Sequence, residues 1–147
     1  MTKLFIGADH RGFEKKNQLA DYFKQNYEVI DLGAEIYQET DDYNDFAIRV
    51  AKAVLGNPGS KGILLCGSAH GISIQANRFK GVRAIVGYNI DLAKLGREHN
   101  DANVLCLSSD YQDLENMKNI ADVFLNTQFL NEERLVRRNN RLDEEVM

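Results

Sequence analysis

Three short stretches of this chain set a thiol, acids and imidazoles where a sheet would present them. The first is Gly62-Ile63-Leu64-Leu65-Cys66-Gly67-Ser68-Ala69-His70-Gly71, an apolar run that ends in cysteine and opens into small and polar residues. A strand over Ile63, Leu64 and Leu65 fixes Cys66 at its carboxyl end, the side on which open α/β sheets hold ligands. Gly67 and Gly71 let the backbone turn with N–H groups facing inward, a nest suited to an oxyanion or a phosphate. A thiol of ordinary pKa about 8.5 becomes a working base where such dipoles stabilise its thiolate. The competing reading of Cys66 is a buried small hydrophobe.

The second stretch is Gly7-Ala8-Asp9-His10-Arg11-Gly12-Phe13. It sets an acid beside a base at the end of a first strand and before a helix. Asp9 can equally cap that helix, which would leave His10 merely exposed. The third is Arg97-Glu98-His99-Asn100-Asp101-Ala102-Asn103. Asn100, Asp101 and Asn103 favour a turn, and His99 can serve as a cation at a helix C-terminus.

Some chemistries are excluded by spacing. A cysteine phosphatase loop needs arginine six positions after its cysteine, and Ile72 stands there. No Gly-x-x-x-x-Gly-Lys-Ser/Thr run occurs, so no P-loop is present. The histidines and cysteines form no Cys-x-x-Cys or His-x-x-x-His pair, so no metal site is expected.

The elements that must position these residues alternate between short apolar runs and longer amphipathic stretches, the pattern of a parallel sheet covered by helices. Strands are expected over Lys3–Gly7, Glu28–Leu32, Gly62–Leu65, Arg83–Gly87 and Val104–Leu107. Helices are expected near Phe13–Gln25, Tyr43–Leu55, Ile72–Arg78, Asp91–Arg97 and Asp113–Asn126. In the second helix Tyr43, Phe46, Ala47, Val50 and Val54 recur at three and four, as one buried face requires. The last stretch, Asn131 to Val146, is rich in Glu and Arg but keeps Leu135, Val136 and Leu142. On a helix Arg134 and Arg138 share one face. A helix this charged buries little core of its own, so packing on another subunit is expected.

A chain of 147 residues fits one domain across 1–147. Its net charge of -4 gives no basic field for nucleic acid. No run has the apolar length of a membrane span, and the N-terminus leads straight into a strand rather than a signal peptide. Cys66 and Cys106 end or border apolar runs and fit reduced thiols, so a cytoplasmic location is expected.

Several blocks occur together in one order: Asp9-His10-x-Gly12-Phe13, Asp31-Leu32-Gly33, Tyr43-x-Asp45-Phe46-Ala47, Cys66-Gly67-Ser68-x-x-Gly71-Ile72-Ser73-Ile74, Ala76-Asn77-Arg78, Gly81-Val82-Arg83-Ala84 and Arg97-x-His99-Asn100-Asp101-x-Asn103-Val104. Together they resemble the type B ribose-5-phosphate isomerases, in the family that also holds the galactose-6-phosphate isomerase subunits. The resemblance implies a Rossmann-like three-layer α/β/α sandwich around a five-stranded parallel sheet. It implies aldose–ketose isomerisation of a sugar phosphate through a cis-enediolate, without metal or organic cofactor. Cys66 would be the base. Ser68 and the N–H groups from Gly67 through Gly71 and Ile72 to Ser73 would stabilise the enediolate oxygen. His99 with Asp9 would open the furanose ring, and His10, Arg134 and Arg138 would hold the phosphate. The family's site is shared between subunits, so a homodimer or tetramer is implied, with His99 and Asn100 meeting Cys66 across an interface. Ribose 5-phosphate leads as substrate. A six-carbon aldose phosphate (allose or galactose 6-phosphate) and a non-catalytic sugar-phosphate-binding role are the alternatives.

The chain departs from the family's pattern at three points. Ser68 replaces a threonine and keeps the hydroxyl, whereas Ala69 replaces a glycine, which matters if that residue needs a positive φ. The family's Gly-x-Arg after the fifth strand, whose arginine reaches the phosphate, is here Ser108-Ser109-Asp110. Near a phosphate dianion Asp110 repels unless it points away. Tyr43-Asn44 replaces the usual Tyr-Pro, a change in how the second helix begins.

Overall fold

The computed structural model describes residues 1–145, so Val146 lies outside the described residues. Five strands, β1 (Lys3–Ala8), β2 (Glu28–Asp31), β3 (Lys61–Cys66), β4 (Ala84–Val86) and β5 (Val104–Ser108), form one sheet in the order β2-β1-β3-β5-β4. All four pairings are parallel, with Gly62 opposite Val104 and Cys66 opposite Ser108. The helices are α1 (Phe13–Phe23), α2 (Tyr43–Gly56), α3 (His70–Ala76), α4 (Ile90–Asn100), α5 (Leu114–Asn126) and α6 (Glu133–Arg141).

Alternation along the central strands sorts the core into two layers. Ile63, Leu65, Leu105 and Leu107 face Leu19 and Phe23 of α1, Ala93 of α4, and Met117, Ile120 and Phe124 of α5. Leu64, Cys66, Val104 and Cys106 face Ala47, Val50 and Val54 of α2 and Ile72 and Ala76 of α3. Both faces are covered, which explains why these strands read as continuous apolar runs. The α/β/α sandwich implied by the resemblance is the observed fold.

Element boundaries shift in two places that matter. Helix α4 extends to Asn100, past its expected end at Arg97. Asp101 closes it in a left-handed conformation (φ 46°) and donates its N–H to the Arg97 carbonyl at 3.2 Å, while the next N–H, that of Ala102, goes to the Gly96 carbonyl at 3.1 Å. Aspartate tolerates that conformation, so residues that read as a loop form the last helical turn and its cap. His99 and Asn100 therefore ride on a helix. Helix α3 begins at His70 rather than Ile72, because Ala69 ends the turn after Cys66 in a left-handed conformation (φ 71°).

The C-terminal helix does bury something on its own chain. Leu135 is buried and α6 packs beside α4, where Asn139 Nδ2 donates to the His99 carbonyl at 3.2 Å. Among the described residues, no helix is long and apolar enough to cross a membrane.

Candidate active site

Strands β1, β3 and β5 lie side by side and end together, and their following loops converge on Cys66. The Asp9 N–H donates to the Leu65 carbonyl at 3.3 Å, and the Ser109 N–H donates to the Cys66 carbonyl at 2.9 Å. Gly67 is clamped further: its carbonyl accepts from the Asp110 N–H at 3.1 Å and from Ser108 Oγ at 2.6 Å. The turn after the thiol is thus held on the β5 side by backbone and hydroxyl alike.

Cys66 is buried, and the N–H groups of Ile72, Ala69 and Ser68 lie close enough to its sulfur to favour the thiolate. Burial pushes the thiol above its ordinary value. The Ile72 and Ala69 N–H groups pull it back, the Asp9 charge adds to the rise, and the Ser68 N–H opposes it. Cys106, one strand over, is fully buried and strongly raised by desolvation, so it is a core thiol and not a second reactive one. Ser73 proves to be spent inside α3: its N–H goes to the Ala69 carbonyl at 3.3 Å and its hydroxyl to His70 at 2.9 Å. Of the row from Gly67 to Ser73 expected to meet an enediolate oxygen, the Ser73 N–H already has a partner in its own helix. Ser68 is exposed, its Oγ accepting from the His70 N–H at 3.3 Å.

The inward donors depend on Ala69, a residue with a Cβ at φ 71°. That conformation costs an alanine about 1–2 kcal/mol, less what glycine gains in unfolded-state freedom. Ala69→Gly is expected to raise the melting temperature by about 1–3 °C. A lowered melting temperature would show that the fully buried Ala69 methyl does more for packing than its backbone costs.

Asp9 does not cap α1, whose N-cap is Gly12 without a side-chain bond. Its Oδ1 instead accepts from the N–H groups of Arg11 at 3.0 Å and Gly12 at 3.3 Å. Burial raises its carboxyl above the ordinary range despite the Gly12 and Arg11 N–H groups and the nearby His10. His10 turns the other way, toward the loop between β2 and α2. Its Nδ1 lies 2.7 Å from Asp41 Oδ1, which also accepts the His10 backbone N–H at 3.0 Å. An ionised carboxylate only accepts, so Nδ1 carries the proton and Nε2 is left for other work. Asp41 is a site residue that sequence reasoning missed. It lies 31 positions from His10, and no local spacing links them. Its Oδ2 is buried and unpaired among the described residues.

Gly71 has a steric reason. A Cβ there would fall 2.5 Å from Tyr43 Cζ, so the missing side chain lets the Tyr43 ring lie against the first turn of α3.

The remaining expected residues are elsewhere. Arg83, just before β4, donates to the Asn100 carbonyl at 3.0 Å, and the Asn103 carbonyl meets the Gly62 N–H at 2.9 Å. His99 and Asn100 thus sit at the end of the sheet where β3 starts, about 13 Å along the strand from Cys66 at 3.3 Å per residue. Both are exposed, as are Arg134 and Arg138 on α6. Arg134 pairs with Glu132. One chain therefore gathers Asp9, His10, Cys66, Gly67, Ser68, Gly71 and Ile72, and holds His99, Asn100, Arg134 and Arg138 at its opposite end.

Residues 4–143 match the model of a family described as Ribose/Galactose Isomerase. The chain belongs to that family. Among its curated relatives, the ribose-5-phosphate isomerase B of Escherichia coli is 43% identical over 130 residues, 88% of this chain and 87% of that one. A probable ribose-5-phosphate isomerase B of Mycoplasma pneumoniae is 41% identical over 127 residues, 86% of this chain and 84% of that one. Among solved members, the ribose 5-phosphate isomerase of Thermotoga maritima superposes with a TM-score of 0.92 at 39% identity, covering 97% of this chain and 98% of that one. The ribose-5-phosphate isomerase B of Mycoplasma genitalium, solved with bound ribulose-5-phosphate, gives 0.91 at 36% identity, covering 96% and 93%. The fold of these solved members is the one described above.

Proposed function

We propose that the protein interconverts D-ribose 5-phosphate and D-ribulose 5-phosphate through a cis-enediolate, with Cys66 as the base. One observation carries the assignment of the base: a thiol at the end of the central strand, ringed by the N–H groups of Ile72, Ala69 and Ser68 with a carboxyl beside it. The thiolate takes the proton from C2 of the open-chain aldose, and the electron pair moves to form the enediolate. The resulting thiol returns the proton to C1 while the hydroxyl proton on O2 passes to O1, giving the ketose and restoring the thiolate, ordinary general acid–base catalysis. Donors already aimed into the site meet the charge that develops on the sugar oxygen without having to reorganise.

Ring opening needs a proton delivered to the ring oxygen and one removed from the anomeric hydroxyl. Asp9, beside Cys66, is one partner in these transfers and His99 is the second. His10, held by Asp41, and Arg134 and Arg138 bind the phosphate. His99, Asn100 and both arginines reach a Cys66 only from a second copy of the chain, so the working unit is a homodimer with shared sites. The surface of α4 supports this: Ile90, Leu92 and Leu95 are exposed on the helix that carries His99. Two free thiols suit a reducing, cytoplasmic setting.

Turnover of the purified protein with D-ribose 5-phosphate, followed as ketose formation beside a panel of hexose 6-phosphates, tests the reaction. Turnover of the pentose supports it. Activity confined to allose or galactose 6-phosphate would mean that the changes at Ala69 and Asp110 re-cut the pocket, and inertness toward all would leave a sugar-phosphate binder.

The shared site has its own test. Cys66→Ala and His99→Asn proteins are each expected to be nearly inactive. Unfolded and refolded together in equal amounts, they should regain about a quarter of wild-type activity, since half the dimers are mixed and each mixed dimer has one intact site. No recovery would mean that each site is complete within one chain.

A further inference from the structure

Asp110, the acid standing where the family's pattern has an arginine, is not free. Its Oδ2 accepts from Arg11 Nη1 at 2.6 Å, joining the β5 loop to the β1 loop across 99 positions of sequence. The pair arches over Gly67: a Cβ built there would lie 2.8 Å from Arg11 Cδ and 3.0 Å from Asp110 Oδ2. Because β3 runs between β1 and β5, this bridge spans the strand that carries Cys66. The stem of Arg11 lies on the glycine that follows the thiol, and its guanidinium is at the mouth of the site.

An ion pair with side chains 58% and 39% exposed adds little to stability, so holding the loops together is a weak reason for it. The donor count suggests a better one. A guanidinium offers five N–H donors in a rigid fork. Asp110 takes one, and the Arg11 side chain makes no other hydrogen bond among the described residues. The carboxylate fixes the fork's orientation and leaves its other donors accessible.

We propose that Arg11, aimed by Asp110, is a phosphate-binding residue of this site, so that its cation comes from the β1 loop where the family's pattern supplies one after β5. The cation has moved strands; it has not been lost. Asp110 is a positioning residue whose own charge is matched by Arg11, which removes the repulsion that an unpaired acid beside a phosphate would cause. His10 and Arg11, adjacent in sequence, then flank the phosphate from opposite sides, one braced by Asp41 and the other by Asp110. The inference rests on the sugar-phosphate reading of the site.

The test uses the intact protein and two probes: calorimetric titration with inorganic phosphate, which needs no turnover, and kinetics with ribose 5-phosphate. Arg11→Gln should weaken phosphate binding and raise KM by about 10- to 100-fold, the span for losing charge-assisted hydrogen bonds, with a smaller fall in kcat. Arg11→Lys should recover part of that loss. Asp110→Asn should cost about 3- to 10-fold in KM through a looser Arg11, with no comparable loss of melting temperature. Phosphate affinity unchanged in Arg11→Gln would overturn the proposal. So would an Asp110→Asn protein that melts several degrees lower while binding phosphate as before, because the pair would then be a structural staple. If no sugar is turned over yet phosphate binding follows Arg11, the isomerase reading fails and this one stands.

Discussion

Cys66→Ala is expected to lower kcat for ribose 5-phosphate by about a hundred- to ten-thousand-fold, the range for removing a positioned general base. The protein should stay folded, because the substitution removes one buried sulfur from a strand whose neighbours Leu64 and Leu65 are themselves fully buried. Phosphate binding should persist, since His10 and Arg11 are anchored on Asp41 and Asp110 and not on the thiol. Cys66→Ser should be no better than alanine, as a hydroxyl in the same setting stays protonated. Undiminished turnover in either variant would remove the thiol from the mechanism.

The same thiol sets a pH signature. In the proposed mechanism Cys66 acts as a thiolate, and burial raises its pKa above the ordinary value, with the charge on Asp9 adding to the rise. Below that raised value the active fraction grows tenfold per pH unit, so kcat/KM should climb from neutrality past pH 9 without levelling. Asp9→Asn removes the charge that adds to the rise of the thiol. Its alkaline limb should therefore shift to lower pH even as ring opening suffers. A profile flat between pH 7 and 9 would mean that the base is another group.

How much of this was legible beforehand follows from what a local pattern can record. Strands β3 and β5 were legible because both faces are covered, so Ile63 to Leu65 and Val104 to Leu107 are apolar without a break. Cys66, Asp9 and His10 were legible because they follow such runs directly, at the sheet end where ligands bind. The resemblance extended the reading to His99 and the C-terminal arginines, which one chain holds far from Cys66. The last turn of α4 was hidden because Asn100 and Asp101 favour a turn equally well when they end a helix. The braces of the site were invisible for a different reason. Asp41 meets His10, and Asp110 meets Arg11, only after the sheet has set their loops side by side, and side chains 31 and 99 positions apart obey no period.

One more brace lies beneath the site, and its removal should produce the largest loss of stability. Lys16 on α1 is fully buried, and its three ammonium hydrogens find three acceptors: Asp31 Oδ1 at 2.9 Å, Asp31 Oδ2 at 3.0 Å and the Ala34 carbonyl at 2.6 Å. Asp31 ends β2 and also receives the Gly33 N–H at 2.9 Å, so the lysine ties α1 to the start of the loop that carries Asp41. Its charge also lies over the Phe13 ring at 5.4 Å. Lys16→Ala leaves a carbonyl unpaired, a carboxylate without its cation and a hole in place of the aliphatic stem. Asp31 is partly exposed, and water recovers some of that loss. The expected cost is about 3 kcal/mol, at the lower edge for breaking a buried pair. For a chain of this size the melting temperature should fall by about 6–12 °C. Lys16→Met restores the packing without the charge and should lose about half as much. Because the loop then holds Asp41, and through it His10, less firmly, KM for the sugar phosphate should rise in both variants while the pH limb set by Cys66 stays in place. A melting temperature within about 1 °C of wild type for Lys16→Ala would mean that water enters and replaces the ammonium, and that the loop is held by its backbone alone.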